Sequence, residues 1–364
     1  MNILRITGDI YPEVIGGVGL HTYFMSKLQA KEHNITVYTC GKKNYSRKIK
    51  NFNLISFKPL TRIFGNPIVF RLFYNIYKNA NNFDIVHAHS HLFFTTNICS
   101  FLKKIKKFKL IITSHGLYSQ TAPIFFQKIY MKTLGKFTLN SADAIICYTE
   151  SEKKELIELG INESKINVIH NGVNIDFFRK KRQDKKYGIL WVGRFVEGKG
   201  IIYLNEILRK VILNYNTKVL IVGDGPLKKS FIKDVGNEHI EYINNISYDK
   251  MPSLYNKSEI FILPSINEGV PRTILESMSC EVPVISADLP QLKNIIDNSG
   301  FLINPKDTSL FAEKILFLLK NKKIMTKLGK RGREIISKNF SWVDTVDKTV
   351  ELYKKIIRNN QKDV

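Results

Sequence analysis

Short apolar runs punctuate this chain, and each is followed by a longer stretch with helical spacing. In the first half NILRIT, NITVYT, FDIVHAH, KLIITSH and AIICYT read as strands, and in the second half YGILWVG, KVLIVG, IFILPS and PVISA. Runs of Ile, Val and Leu that end in small or polar residues mark strands buried on both faces of a parallel sheet. Strands alternating with helical segments predict an α/β fold. The pattern lapses at NIDFFRKKRQDKKY, which reads as a charged linker over 173–187, and a new strand begins at Gly188. A chain of 364 residues is also long for one core. The expectation is therefore two doubly wound domains, 1–172 and 188–340, with 341–364 as a terminal segment. In such sheets ligands sit beyond the carboxyl ends of the strands, and two sheets face to face make a cleft.

The strand ends carry the candidate chemistry. After the first strand, Gly16, Gly17 and Gly19 form a loop before a helix. Such a loop lets backbone N–H groups approach an anion at a helix N-terminus, and a tight structural turn would read the same way. Leu20 and Thr22 follow, so the GxGxxG dinucleotide fingerprint is incomplete. His115 stands just past Leu110, Ile111 and Ile112, at a strand end where both a structural and a functional role are open. HAHSH invites a metal reading through His87, His89 and His91. Neighbours on one strand close a tetrahedral site poorly and no acid or cysteine completes one, so no metal is expected.

In the second half VGRFVEGKG places Arg194 and Lys199 in a glycine-punctuated loop, where two cations can clamp a diphosphate. VGDGP repeats the strand-to-glycine theme with Gly223 and Gly225. NEGVPRTILE sets Glu268 before a helix and Glu276 in its second turn. Pro271 suits the first helical position, which leaves the amides of Arg272, Thr273 and Ile274 to point outward at an anion. Glu276 lies too deep to serve the helix dipole. Both glutamates can accept hydrogen bonds from hydroxyls that flank a diphosphate.

These residues resemble the EX7E signature of retaining GT-B glycosyltransferases, glycosyl transferases group 1 and family 4. GGVGLH, TSHG, VIHNGVN, VGRF with KG, VGDGP and FSWVDTVDKTVELYKKI extend the resemblance over nearly the whole chain. It implies two Rossmann-like doubly wound domains facing across a cleft, the first binding the acceptor and the second the sugar nucleotide. The terminal helix after Trp342 would cross back to the first domain. It also implies roles. Glu276 would hold the ribose and Glu268 the donor sugar. Arg194 and Lys199 would neutralise the departing diphosphate, helped by the amides near Thr273 and Ile274. His115 would lie against the donor sugar near the reacting carbon, and Gly16 and Gly17 would border the diphosphate and the acceptor. Fixed cations and a helix terminus can stabilise the leaving group without a metal or other cofactor. Arg272 departs from the hydrophobic or small residue many relatives carry, and would touch the phosphate or face solvent. A nucleotide-sugar 2-epimerase shares the architecture and is the alternative reading.

Charge adds a partner. The chain has 56 Lys and Arg against 32 Asp and Glu, a formal net charge of +24. That excess calls for an anionic partner. FKPLTRIFGNPIVFRLFYNIYK mixes cations with aromatics, and KKIKKFK adds lysines at 103–109. Such a surface suits an anionic membrane, with a lipid-linked sugar or surface glycan as acceptor. A solvated basic face over core aromatics is the alternative. No nucleic-acid motif or reading helix is present, so a nucleic-acid-binding protein is disfavoured. No apolar run approaches the ~18 residues of a membrane span. No secretory signal is visible, and Cys40, Cys99, Cys147 and Cys280 lack metal-site spacing and suit reduced, buried thiols. The expected location is cytoplasmic, on the inner face of the membrane.

Overall fold

A computed structural model describes residues 1–14, 16–119, 122–236 and 238–359. The chain divides into two compact units: Met1–Gly172 together with Trp342–Val364, and Val173–Ser341.

The strands of the first unit are β1 (Asn2–Ile6), β2 (Asn34–Cys40), β3 (Tyr45–Ile49), β4 (Phe52–Phe57), β5 (Thr61–Ile63), β6 (Asn66–Ile68), β7 (Ile85–His89), β8 (Leu110–Thr113), β9 (Ala144–Cys147) and β10 (Ile166–Val168). Eight of them form one sheet in the order β10-β9-β8-β7-β1-β2-β4-β3, and β5 pairs with β6 as a separate hairpin. Only β3 runs antiparallel in the large sheet, and its YSRKI sequence is correspondingly polar and exposed. The other strands are largely buried on both faces, so their polar residues, such as Arg5 and His87, are buried as well. Period-2 alternation divides them: Leu4, Ile6, Val86 and Ile112 pack with Leu72, Ile76 and Leu102 on one side. Ile3, Ile85 and Ile111 pack with Leu352 and Tyr353 of the terminal helix Trp342–Asn359 on the other.

One buried polar cluster pins that terminal helix to the first sheet. Arg5 is fully buried in β1 and donates to Ser26 Oγ, Gln29 Oε1 and Tyr353 Oη. Tyr353 Oη lies 2.5 Å from His87 Nδ1. A guanidinium taken out of water is tolerable only when several acceptors replace the solvent.

In the second unit β11 (Tyr187–Val192), β12 (Val219–Val222), β13 (Ile240–Ile243), β14 (Ser258–Leu263), β15 (Val284–Ala287) and β16 (Gly300–Ile303) form a parallel sheet. Its order is β13-β12-β11-β14-β15-β16. This is the nucleotide-binding order, with the direction of winding reversing between β11 and β14. The stretch 173–186 is part of this unit rather than a free linker. Phe178 is fully buried, and Arg333 Nη1 donates to the carbonyls of Ile175, Phe178 and Ser279. The charged residues between hide the apolar anchor from a pattern-based reading.

Candidate functional site

The reversal point of the second sheet brings two loops together, one leaving β11 and one leaving β14. The amides of Ile266 and Asn267 both donate to the Gly198 carbonyl, at 2.9 and 3.2 Å. Glycine permits this approach: Gly200 has φ 64°, and a Cβ there would fall 1.9 Å from the Pro264 carbonyl oxygen. The result is an ion pair between two of the sequence-predicted residues. Lys199 Nζ lies 2.5 Å from Glu268 Oε1, with both side chains largely buried. Arg194 stands on the same loop and is exposed.

The helix Arg272–Ser279 begins one residue later than the proline pattern predicts, with Pro271 as its N-cap. The Ile274 amide donates to the Pro271 carbonyl at 3.1 Å. This corrects the expectation that Ile274 points its N–H outward, because the first turn closes tightly and uses that donor. Thr273 is partly exposed on the same turn.

Glu276 is buried, and its carboxylate is held from behind. Tyr248 Oη donates to Oε1 and Tyr255 Oη to Oε2, each at 3.0 Å. Arg272 is 7% exposed, which removes the solvent-facing alternative of the two left open for it. Its Nη2 donates to Tyr248 Oη at 2.9 Å and lies 3.7 Å from Glu276 Oε1. Burial pushes the Glu276 carboxyl up from its ordinary value, and Arg272 and the two tyrosines oppose that shift. Tyr248 and Tyr255 were missed in the sequence because nothing in their local pattern separates them from core aromatics.

In the first unit Gly16 caps the helix Gly17–Gln29 in extended conformation, and a Cβ at Gly16 or Gly17 would meet nothing within 4 Å. The space beside that backbone is open. The same helix carries His21, whose ring stands 4.9 Å from that of His115. His115 has φ 59°, a left-handed conformation rare for a residue with a Cβ. Its Nδ1 pairs with Tyr148 Oη at 2.8 Å and its Nε2 with His89 Nδ1 at 2.9 Å. His21 Nδ1 pairs with Asn171 Oδ1 at 2.9 Å. His21, Tyr148 and Asn171 belong to this cluster without having been singled out by sequence.

Among the described residues, one group has the count for a metal ion: His21, His89 and His115 each bring a ring nitrogen within 4.8 Å of the others. The same rings are already joined through one another, Tyr148 and Asn171. In HAHSH, His87 and His89 stack at 4.4 Å, and His87 is tied to Tyr353 and Thr113. All four cysteines are free and buried.

The first unit also has a basic aromatic face. On the helix Phe70–Asn79, Leu72 and Ile76 are buried while Phe70, Phe73, Tyr74 and Tyr77 are exposed. Lys106 Nζ sits 4.3 Å above the Tyr77 ring, which joins the lysine-rich segment to this face. Phe101 and Ile105 are exposed beside it in sequence. No helix among the described residues is long and apolar enough to cross a membrane.

Comparison with known proteins agrees with this layout. Residues 173–335 match the family model for glycosyl transferases group 1, and residues 15–177 that for glycosyltransferase family 4. An uncharacterized glycosyltransferase of Methanocaldococcus jannaschii is 28% identical over 96% of this chain and 97% of its own. A subunit of phosphatidylinositol N-acetylglucosaminyltransferase from Saccharomyces cerevisiae is 23% identical, over 100% of this chain and 84% of its own. The structure of sucrose-phosphate synthase from Thermosynechococcus elongatus superposes with a TM-score of 0.84 at 19% identity, covering 98% of this chain and 99% of that one.

Proposed function

The chain belongs to the group 1 and family 4 glycosyltransferases, with the GT-B fold, and from that premise we propose that it is a retaining enzyme using a nucleotide-diphosphate sugar. The sugar is a hexose or N-acetylhexosamine, and the acceptor a lipid-linked sugar or surface glycan. The relative that transfers N-acetylglucosamine to phosphatidylinositol, by its name, supports an N-acetylhexosamine and a lipid acceptor.

The observation that carries the reading is the meeting of Lys199 and Glu268 at the reversal point of the second sheet. A cation and a hydroxyl-binding acid held together there suit a sugar joined to a diphosphate. On this reading Lys199 and Arg194 take the charge that develops as the glycosyl–phosphate bond breaks, and Thr273 at the helix start assists. Glu268 accepts from the donor sugar. Glu276, fixed from behind by two tyrosines, offers its remaining lone pairs to the ribose diol. His115 borders the sugar, and Gly16 and Gly17 border the diphosphate and acceptor. The chemistry asks for no metal: cations and amides already fixed in place need no reorganisation during reaction. The leaving phosphate accepts the acceptor proton on the face from which it departs, so configuration is kept. The basic aromatic face of the first unit holds the enzyme on the inner, anionic side of a membrane.

Screening UDP-, GDP- and ADP-sugars by thermal shift identifies the donor, because a ligand that binds only the folded state raises stability by mass action. Product analysis with and without acceptor then separates transfer from 2-epimerisation, which needs no acceptor. Loss of the donor without any acceptor, giving an epimer, would overturn the transfer reading.

A further inference from the structure

Glu152 is a buried carboxylate that the roles above leave unused. It lies in the first turn of the helix Glu150–Glu158, whose N-cap Thr149 accepts a hydrogen bond from the Glu152 amide. Thr-x-x-Glu is the pattern of a capping box, in which the glutamate side chain returns to the N-cap amide. Here the side chain goes elsewhere. Its Oε2 accepts from the Tyr148 amide at 2.9 Å, and its Oε1 accepts from Ser114 Oγ at 2.5 Å. The Gly116 amide lies near enough to favour its charged form.

One carboxylate therefore spans two strand exits. Ser114 and Gly116 flank His115 in the loop after β8, and Tyr148 follows β9. His115 and Gly116 both adopt positive φ, 59° and 96°. A left-handed residue with a Cβ persists only where its surroundings over-determine it. The Glu152 bond to Ser114, just before His115, and the Gly116 amide near the same carboxylate, just after it, contribute that constraint. The same carboxylate anchors the backbone of Tyr148, whose hydroxyl holds His115 Nδ1. Both the backbone conformation of His115 and the partner of its ring thus converge on Glu152.

We infer that Glu152 is a positioning residue for His115, a role that rests on His115 belonging to the site proposed above. It touches no substrate. It fixes the direction in which His115 presents its main chain and ring.

Two substitutions test this in the full chain. Glu152→Gln keeps the size and one acceptor but presents an amide to groups that donate. Ser114→Ala removes one anchor and spares the helix cap. The first readout needs no substrate: ring-nitrogen spectra of histidine-labelled protein. In the wild type the two His115 nitrogens are held by different partners and give distinct, fixed shifts. In Glu152→Gln they move toward averaged values, with a smaller movement in Ser114→Ala. The second readout is turnover of whichever of UDP-, GDP- or ADP-glucose the wild type uses. The expected loss in kcat for Glu152→Gln is on the order of 10²-fold, the usual cost of a misplaced group, with little change in donor KM. Unchanged His115 shifts in either folded variant would overturn the role of Glu152. A wild type that turns over no sugar nucleotide would count against the glycosyl-transfer reading, and the ring shifts would still decide Glu152.

Discussion

Lys199 Nζ and Glu268 Oε1 stand 2.5 Å apart with side chains 12 and 5% exposed, so each neutralises the other where solvent is scarce. Breaking such a largely buried pair by removing one partner typically costs about 3–5 kcal/mol. Lys199→Met and Glu268→Leu should each lower the melting temperature, and the double variant should recover most of the loss. Activity should not recover with it. Lys199→Met alone should cut turnover by roughly 10²–10³-fold, the scale of losing one preorganised group that stabilises developing charge. Calorimetry and single-turnover assays on the three variants check both halves. Full activity in the double variant would sink the assignment.

Glu276 predicts two trends of opposite sign with pH. Burial raises its folded-state value above the ordinary carboxylate one. Between those two values the folded chain holds a proton that the unfolded chain has released. Stability therefore falls as pH rises through that window. Donor binding by the ionised carboxylate rises over the same window. Glu276→Gln should abolish the rise in donor affinity. It should only flatten the stability trend, because Glu152 is also raised by burial and acts in the same direction. Donor affinity and melting temperature measured from mildly acidic to neutral pH separate the two.

The first unit should be the acid-sensitive one. Burial lowers His87, His89 and His91, with His91 brought to about 4 from 6.5. Their stabilisation is complete above the unfolded value and is lost as pH falls, since the unfolded chain takes up protons the folded one refuses. His91 alone accounts for about 3 kcal/mol on this basis. Glu152, raised by burial, acts in the opposite direction, one carboxyl against three imidazoles. Trp342 lies in the first unit and Trp191 in the second, and they are the two tryptophans of the chain. Fluorescence of Trp191→Phe and Trp342→Phe variants on acidification should show the Trp342 signal changing first.

Membrane binding should need both charge and aromatics. Exposed Phe70 and Tyr74 share one helix, and Lys106 lies against Tyr77 of the same helix. Each cation near anionic headgroups contributes about 1 kcal/mol, screened by salt. Flotation with vesicles containing phosphatidylglycerol should retain the wild type at low salt and release it progressively as salt rises. Vesicles of phosphatidylcholine alone should retain little. Phe70→Glu with Tyr74→Glu should weaken binding to anionic vesicles at every salt concentration. Equal binding to both vesicle types would exclude the electrostatic part.

Local pattern carried the frame of this protein. The runs that became β1, β2, β7, β8, β9, β11, β12, β14 and β15 were legible because burial on both faces favours clustered Ile, Val and Leu residues. The strands less open to that reading were β3, β4, β10 and β13, where polar residues interrupt the apolar ones, the three-residue strands β5 and β6, and β16, whose apolar run Phe301–Ile303 is only three residues long. Glu268, Arg194, Lys199 and His115 stood out as candidates because they lie in the loops that leave strands, and Glu276 because it follows a proline-marked helix start by one turn.

What only the tertiary structure decided is which of these residues meet. Lys199 and Glu268 are separated by 69 positions and are joined because β11 and β14 are neighbours. Strand order leaves no trace in local periodicity. Tyr248 and Tyr255 behind Glu276, and Glu152 beneath His115, likewise depend on chain segments brought together by packing. Sequence spacing determines which face a side chain occupies on its own element. Only the fold determines what stands opposite it, and so which carboxylates are paired, buried or held for a substrate.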